Sequence, residues 1–175
     1  MSVFFISDFH LGHRTILNHT KNTQQALPDA DIYRGGTTLE EHDEWVIQQC
    51  LSVNPTKRTL WWLLGDIAME TDRLALLDRL PGRKFLILGN HDKFQTRTYL
   101  KFVEQIYGGV KKYNLWLTHF PLHPAELRGK GNIHGHCHKE QINNPKYLNV
   151  SIEWIHNHRP ISLEEVRTHH ETLFT

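Results

Sequence analysis

Three short apolar runs in this chain each stop on residues that bind metals or protons. VFFIS (Val3–Ser7) runs into Asp8-Phe9-His10. TLWWLL runs into Gly65-Asp66, and KFLIL runs into Gly89-Asn90-His91-Asp92. Continuous apolar runs of this length are expected of strands covered on both faces. Between the first two, TLEEHDEWVIQQCL (Thr38–Leu51) predicts a helix, opened by the capping-box spacing of Thr38 and Glu41. Between the second and third, TDRLALLDRLPG predicts a helix started by Thr71 and stopped by Pro81-Gly82. The order is βαβαβ, with right-handed crossovers, and the class is α/β.

The rest of the chain reads differently. The polar stretch from Asp8 to GGTT carries Pro28, Gly35 and Gly36 and predicts a long loop with room for one helical turn. TYLKFVEQIYGG predicts a helix ending on two glycines, and VKKYNLWLTHF two short strands around a Tyr113-Asn114 turn. GNIHGHCH predicts a strand entering a loop, and YLNVSIEW (Tyr147–Trp154) a further strand. SLEEVRTHHETLF predicts a closing helix, with Ser162 and Glu165 again at capping-box spacing. There is no internal repeat and no dividing linker, so a single domain over residues 1–175 is expected.

In open α/β sheets function gathers beyond the carboxyl ends of the strands. Asp8, His10, Asp66, Asn90, His91 and Asp92 should therefore converge, joined by His119 after Thr118 and by Gly135-His136-Cys137-His138. The donors are carboxylates, imidazoles and an amide, with no necessary thiolate. That set suits manganese, iron or zinc better than a cysteine-rich structural zinc site. It also exceeds what one ion uses; two ions about 3.5–4 Å apart, sharing a carboxylate, would account for it.

The ordered set Asp8-x-His10, Gly65-Asp66, Gly89-Asn90-His91-Asp92, His119 and Gly135-His136-x-His138 resembles the calcineurin-like metallophosphoesterases. SDFHLGH and the ending YLNVSIEW…RPISLEEV resemble a small bacterial and phage-type branch of them. The resemblance implies a two-sheet β-sandwich flanked by helices, in four αββα layers. It implies two divalent ions, manganese first, with iron, zinc or nickel as alternatives. Asp8, His10 and His138 would hold one ion, Asn90, His119 and His136 the other, and Asp66 would bridge them. His91 would assist the leaving group, oriented by Asp92.

The implied reaction is hydrolysis of a phosphodiester or nucleotide phosphoester by in-line attack of a metal-bridging hydroxide. The rivals are a phosphomonoesterase acting on a small phosphorylated substrate, and a catalytically silent scaffold of the same fold. An intact His91 speaks against the scaffold. His13, Arg14 and His123 are candidate substrate contacts, each also readable as an ordinary loop residue. Lys93, Arg97, Arg128 and Lys130 default to solvated surface charge. His134 reads as a core histidine, Cys137 as small packing, and Cys50 as a buried helix residue.

Composition sets the outer limits. The formal net charge is +1, so no global field draws the chain to nucleic acid or to an anionic membrane. The expected partner is a small phosphorylated substrate, a nucleotide or a nucleic-acid end, without a stable nucleic-acid complex or a membrane. Two cysteines make no disulfide framework and suit a reducing cytoplasm, and no apolar run approaches a membrane span. MSVFFISDFH lacks the basic start of a signal peptide. Histidine, at 14 residues, is the one enriched type, and it points to metal or proton chemistry.

Overall fold

The computed structural model describes residues 1–18 and 34–174. The central part of the predicted first loop, including Pro28, lies outside the described residues. The three apolar runs form β1 (Val3–Ile6), β2 (Leu60–Leu63) and β3 (Arg83–Ile87). They pair in parallel, Phe5 beside Trp62 and Trp62 beside Phe85. With β4 (Gln105–Tyr107) and an antiparallel β9 (Ile161–Ser162) they make a five-stranded sheet of order β4-β3-β2-β1-β9. A second sheet runs β5 (Gly109–Lys112), β6 (Leu115–Thr118), β7 (Gly131–His134), β8 (Tyr147–Asn149).

Strand side chains alternate between faces, and both faces of the first sheet are apolar. Phe4, Ile6, Trp61, Leu63 and Leu86 pack with Val46, Ile47 and Cys50 of α1 (Leu39–Leu51) and with Leu74 and Leu77 of the 3-10 segment Thr71–Arg79. Val3, Phe5, Leu60, Trp62, Phe85 and Ile87 pack the other way, against Leu115, Leu117 and Ile133 of the second sheet. The uninterrupted apolar runs thus reflect one layer of helix and one layer of sheet. On the far side of the second sheet, Asn132 Oδ1 accepts from Leu122 N–H at 2.8 Å, which ties the segment leading into the short helix α3 (Pro124–Leu127) over that face. The fold is a two-sheet α/β sandwich flanked by helices.

Both predicted capping boxes form: Thr38 with Glu41 starts α1, and Ser162 with Glu165 starts α4 (Leu163–His169). The Tyr113-Asn114 turn also forms, with φ of 55° and 67°, joining antiparallel β5 and β6. Three expectations need correction. The TDRLALLDR segment is 3-10, and its cap position, Glu70, makes no side-chain cap bond. The helix expected over TYLKFVEQIYGG shrinks to α2 (Thr96–Tyr99), because Gln105–Tyr107 pairs with the open edge of β3 and Gly109 already starts the second sheet. Long-range pairing outweighs local helix propensity there. The strand expected over Tyr147–Trp154 stops at Asn149: Ser151 makes a single bridge to Ser7, and the chain then turns, with Trp154 and Ile155 N–H both donating to Ser151 O.

Candidate metal centre

The ends of β1, β2, β3, β6 and β7 meet along one rim. Backbone bonds zip the first two together: Asp8 N–H to Gly65 O at 3.0 Å, and His10 N–H to Asp66 O at 2.9 Å. Gly135 N–H reaches His119 O at 3.0 Å and joins β7's end to β6's. Asp8, His10, Asp66, His136 and His138 all have positive φ, between 49° and 67°. Non-glycine residues enter this region at a cost of order 1–3 kcal/mol each, and such strain persists where the surroundings over-determine it.

The glycines beside these residues allow close approach. A Cβ on Gly89 would lie 2.1 Å from Asp66 Oδ1, and one on Gly135 would lie 1.9 Å from Ser7 Oγ and 2.5 Å from Asp8 Oδ2. Gly65, at φ +94°, backs onto His119 Nδ1 at 2.5 Å from its own would-be Cβ.

Each carboxylate has one oxygen tied and one presented. Asp8 Oδ2 accepts from Ser151 Oγ–H at 2.8 Å and from His136 N–H at 3.0 Å. Asp8 Oδ1 lies 3.8 Å from His10 Nε2 and 3.9 Å from His138 Nε2. Asp66 Oδ1 accepts from His91 N–H at 2.8 Å, while Oδ2 lies 3.8 Å from His10 Nε2 and 3.4 Å from His119 Nε2. Two donor groups result: Asp8, His10 and His138, and Asp8, Asp66 and His119.

Asn90 Oδ1 sits 3.0 Å from His119 Nε2, and the His136 ring lies 5.1 Å from the His119 ring. The seven predicted ligands are therefore neighbours. Asp8 Oδ1 and both nitrogens of His10 are buried and have no hydrogen-bond partner among the described residues. Leaving such groups dry and unpaired is costly, and divalent cations would satisfy them. The residues present fit the implied metal.

Charge and burial compete in the imidazoles. Burial, then Arg34, drives the His10 pKa well down, which keeps it a neutral donor. Burial opposes protonation of His119, but the hydrogen bond to Asp66 and the charge of Asp8 prevail and raise its pKa. His119 Nδ1 donates to Leu64 O at 2.7 Å, which leaves Nε2 facing Asp66 and Asn90.

His91 is half-buried at the rim, its ring 5.5 Å from that of His10. Asp92 does not orient it, which corrects the role that the resemblance implied. Asp92 Oδ2 accepts from Asp66 and Gly89 N–H at 2.8 Å each. Its Oδ1 accepts from Ile67 N–H at 3.0 Å and, more weakly, from the Tyr99 hydroxyl at 3.5 Å. It is a half-buried clamp on the β2 and β3 ends, with desolvation pushing its pKa up against those N–H bonds.

The candidate substrate contacts divide. The His13 ring lies 5.4 Å from that of His10. Arg14 is exposed and pairs with Glu70 at 3.6 Å, and His123 is exposed and caps α3 by accepting from Ala125 N–H at 3.3 Å. No hydrogen bond or ion pair joins either to the cluster among the described residues. His134 is buried, its Nδ1 bonded to Gly135 O at 2.8 Å, and Cys50 is buried within α1.

Sequence reasoning missed four supporting residues. Ser151 holds Asp8. Glu153 accepts from His138 Nδ1, and Arg34 pairs with Glu153 at 2.5 Å. Burial alone would raise the Glu153 pKa; Arg34 and His138 overcome it and hold the carboxyl at about 2. Phe120, exposed beside His119, places its ring 4.3 Å from that of His136. A charged acid within the strand-like YLNVSIEW was the available signal for Glu153; Arg34 had none.

No helix among the described residues is long and apolar enough to cross a membrane. No protein-family model matches the chain. It is 30% identical over 205 residues to the Gene 66 protein of Mycobacterium phage D29, covering 95% of this chain and 94% of that protein. It is 30% identical over 174 residues to protein MJ1445 of Methanocaldococcus jannaschii, covering 93% and 87%. Among solved structures, protein AQ665 of Aquifex aeolicus superposes with a TM-score of 0.68 at 23% identity, covering 95% of this chain and 98% of that one, so the two share a fold. The extent and level of identity mean that this chain belongs to the family of the phage D29 Gene 66 protein and the M. jannaschii MJ1445 protein.

Proposed function

We propose that this protein is a single-domain, metal-dependent phosphoesterase that hydrolyses a small phosphodiester or nucleotide. The observation that carries the reading is the pair of donor groups sharing Asp8, with buried oxygen and nitrogen atoms that have no hydrogen-bond partner among the described residues. Asp8, His10 and His138 would hold one ion. Asp66, Asn90, His119 and His136 would hold the other, with Asp66 between them. Bound divalent ions supply a nucleophilic water near neutral pH and neutralise phosphoryl oxygens.

The chain's own residues supply the rest. Asp8 and Asp66 each tie one oxygen to the protein and present the other, so little reorganisation accompanies binding. His91, at the rim beside His10 and free of Asp92, is placed to give a proton to a departing oxygen. Phe120 offers a flat apolar face next to His136, which suits a diester carrying a planar group such as a nucleoside.

The test is hydrolysis of a chromogenic phosphodiester and its monoester counterpart with added manganese, for wild type, His91→Ala and Asp66→Asn. Diester cleavage lost in both variants supports the proposal. Monoester-only cleavage would replace it with a phosphatase. No turnover with several metals, despite two bound ions, would leave the scaffold.

A further inference from the structure

Outside the ligand cluster lies a chain of buried charged and polar side chains that the proposed hydrolysis does not use. It begins at His138. A carboxylate only accepts, so the bond from His138 Nδ1 to Glu153 Oε1 places a ring proton on Nδ1 and turns Nε2 toward Asp8 Oδ1, 3.9 Å away. Glu153 Oε2 takes Arg34 Nη2 at 2.5 Å. The same Nη2 donates to Asp8 O at 2.6 Å, and Nη1 donates to Phe9 O at 3.1 Å. One guanidinium thus grips the strained backbone of one candidate ligand and, through Glu153, the ring of another.

The chain continues without a conflict of donors. Arg34 Nη1 also reaches His42 Nε2 at 3.2 Å, so Nε2 accepts and Nδ1 carries the proton. His42 Nδ1 gives that proton to Asp43 Oδ1 at 3.0 Å. Asp43 takes Gly12 N–H at 3.1 Å and Arg73 Nη1 at 3.3 Å. Arg34, His42, Asp43 and Glu153 are all buried. Helix α1 is thereby fastened to the loop that follows His10.

We propose that Glu153 and Arg34 are positioning residues for the first ion. Glu153 fixes the tautomer and aim of His138, and Arg34 locks Glu153 to the Asp8 backbone. This rests on the metal-site reading above. A carboxylate behind a ligating imidazole orients the ring and raises its basicity, and losing such a partner typically weakens metal binding about 10–100-fold.

The experiment is calorimetric titration of the metal-free protein with manganese, paralleled by the visible absorption of cobalt(II), at a temperature where each variant is folded by circular dichroism. Wild type is expected to take two ions. Glu153→Gln should bind one as wild type does and the other about 10–100-fold more weakly, with an altered cobalt spectrum for that ion. Glu153→Asp, which keeps the charge but shortens the reach, should fall between, and it serves if Glu153→Gln does not fold. Glu165→Gln, remote from the cluster and expected to lower stability, is the control and should bind both ions normally. Two ions bound at wild-type affinity by Glu153→Gln and Glu153→Asp would overturn the relay alone. No ion bound by wild type would overturn the metal reading itself.

Discussion

Asp66 Oδ2 lies 3.4 Å from His119 Nε2, across the junction of the two sheets. Asp66 follows β2 in the first sheet and His119 follows β6 in the second. The sandwich and the site are therefore the same construction problem: the sheets must pack in one register for these atoms to meet. In the proposed two-ion site, a carboxylate between His10 and His119 is where a shared ligand would sit.

Asp66→Asn keeps an oxygen for His91 N–H but removes the charge from between His10 and His119. Metal-free stability should change little. The rise in melting temperature on adding manganese should shrink, since stabilisation by a ligand follows its affinity. Differential scanning fluorimetry across a manganese series checks this; an unchanged rise would remove Asp66 from the ligand set.

Gly135→Ala should be among the most damaging small substitutions. Its Cβ would collide with Ser7 Oγ and Asp8 Oδ2, so the β1 end must shift. Overpacking of this kind costs about 1–3 kcal/mol, and manganese should no longer protect. Gly108→Ala, with nothing within 4 Å and no positive φ, is the matched neutral change. Urea denaturation of both variants, with and without manganese, makes the comparison.

Asp92 and His91 are neighbours in sequence with separable roles. Asp92→Asn must turn its NH2 toward either the Asp66 and Gly89 N–H pair or the Ile67 N–H, and so loses stability by about 2 kcal/mol. His91→Ala, at the rim, should leave the melting temperature within a degree or two while turnover falls about 10²–10⁴-fold, the usual contribution of a general acid. Melting curves and single-turnover rates on both proteins separate the roles; equal loss of stability in the two would not fit.

The Arg159–Glu165 pair and the Ser162 cap make stability depend on acid. Burial raises the Glu165 pKa, but Arg159 and the Ser162 bonds outweigh it and bring the carboxyl to about 2. An unfolded glutamate titrates near about 4.3. A depressed folded value stabilises fully above the unfolded one and is lost as pH falls from there toward 2. Glu165 is partly exposed, so screening reduces the effect to about 1 kcal/mol. Glu165→Gln should be less stable than wild type at pH 7 by that amount, and the gap should close between about pH 4.5 and 2. Equilibrium denaturation at pH 7, 4 and 2.5 reads it.

What could be read along the chain was local or periodic. The buried strands stood out because two apolar layers leave no polar alternation in Phe4–Ile6 or Trp61–Leu63. The capping boxes of α1 and α4 stood out because their partners are three residues apart. The β4 edge strand was hidden, since Gln105–Tyr107 becomes a strand through pairing with β3 rather than through its own composition.

The sequence by itself determined which strand ends carry carboxylate, imidazole and amide donors, because these donors follow closely on the runs that form the strands. Only the tertiary structure decided what those donors lean on. Asp92 holds backbone rather than His91, and Glu153 and Arg34 stand behind His138 and Asp8. These partners are far apart in the chain or depend on which way a side chain turns, and a buried charge declares its partner only when packing has excluded water from both.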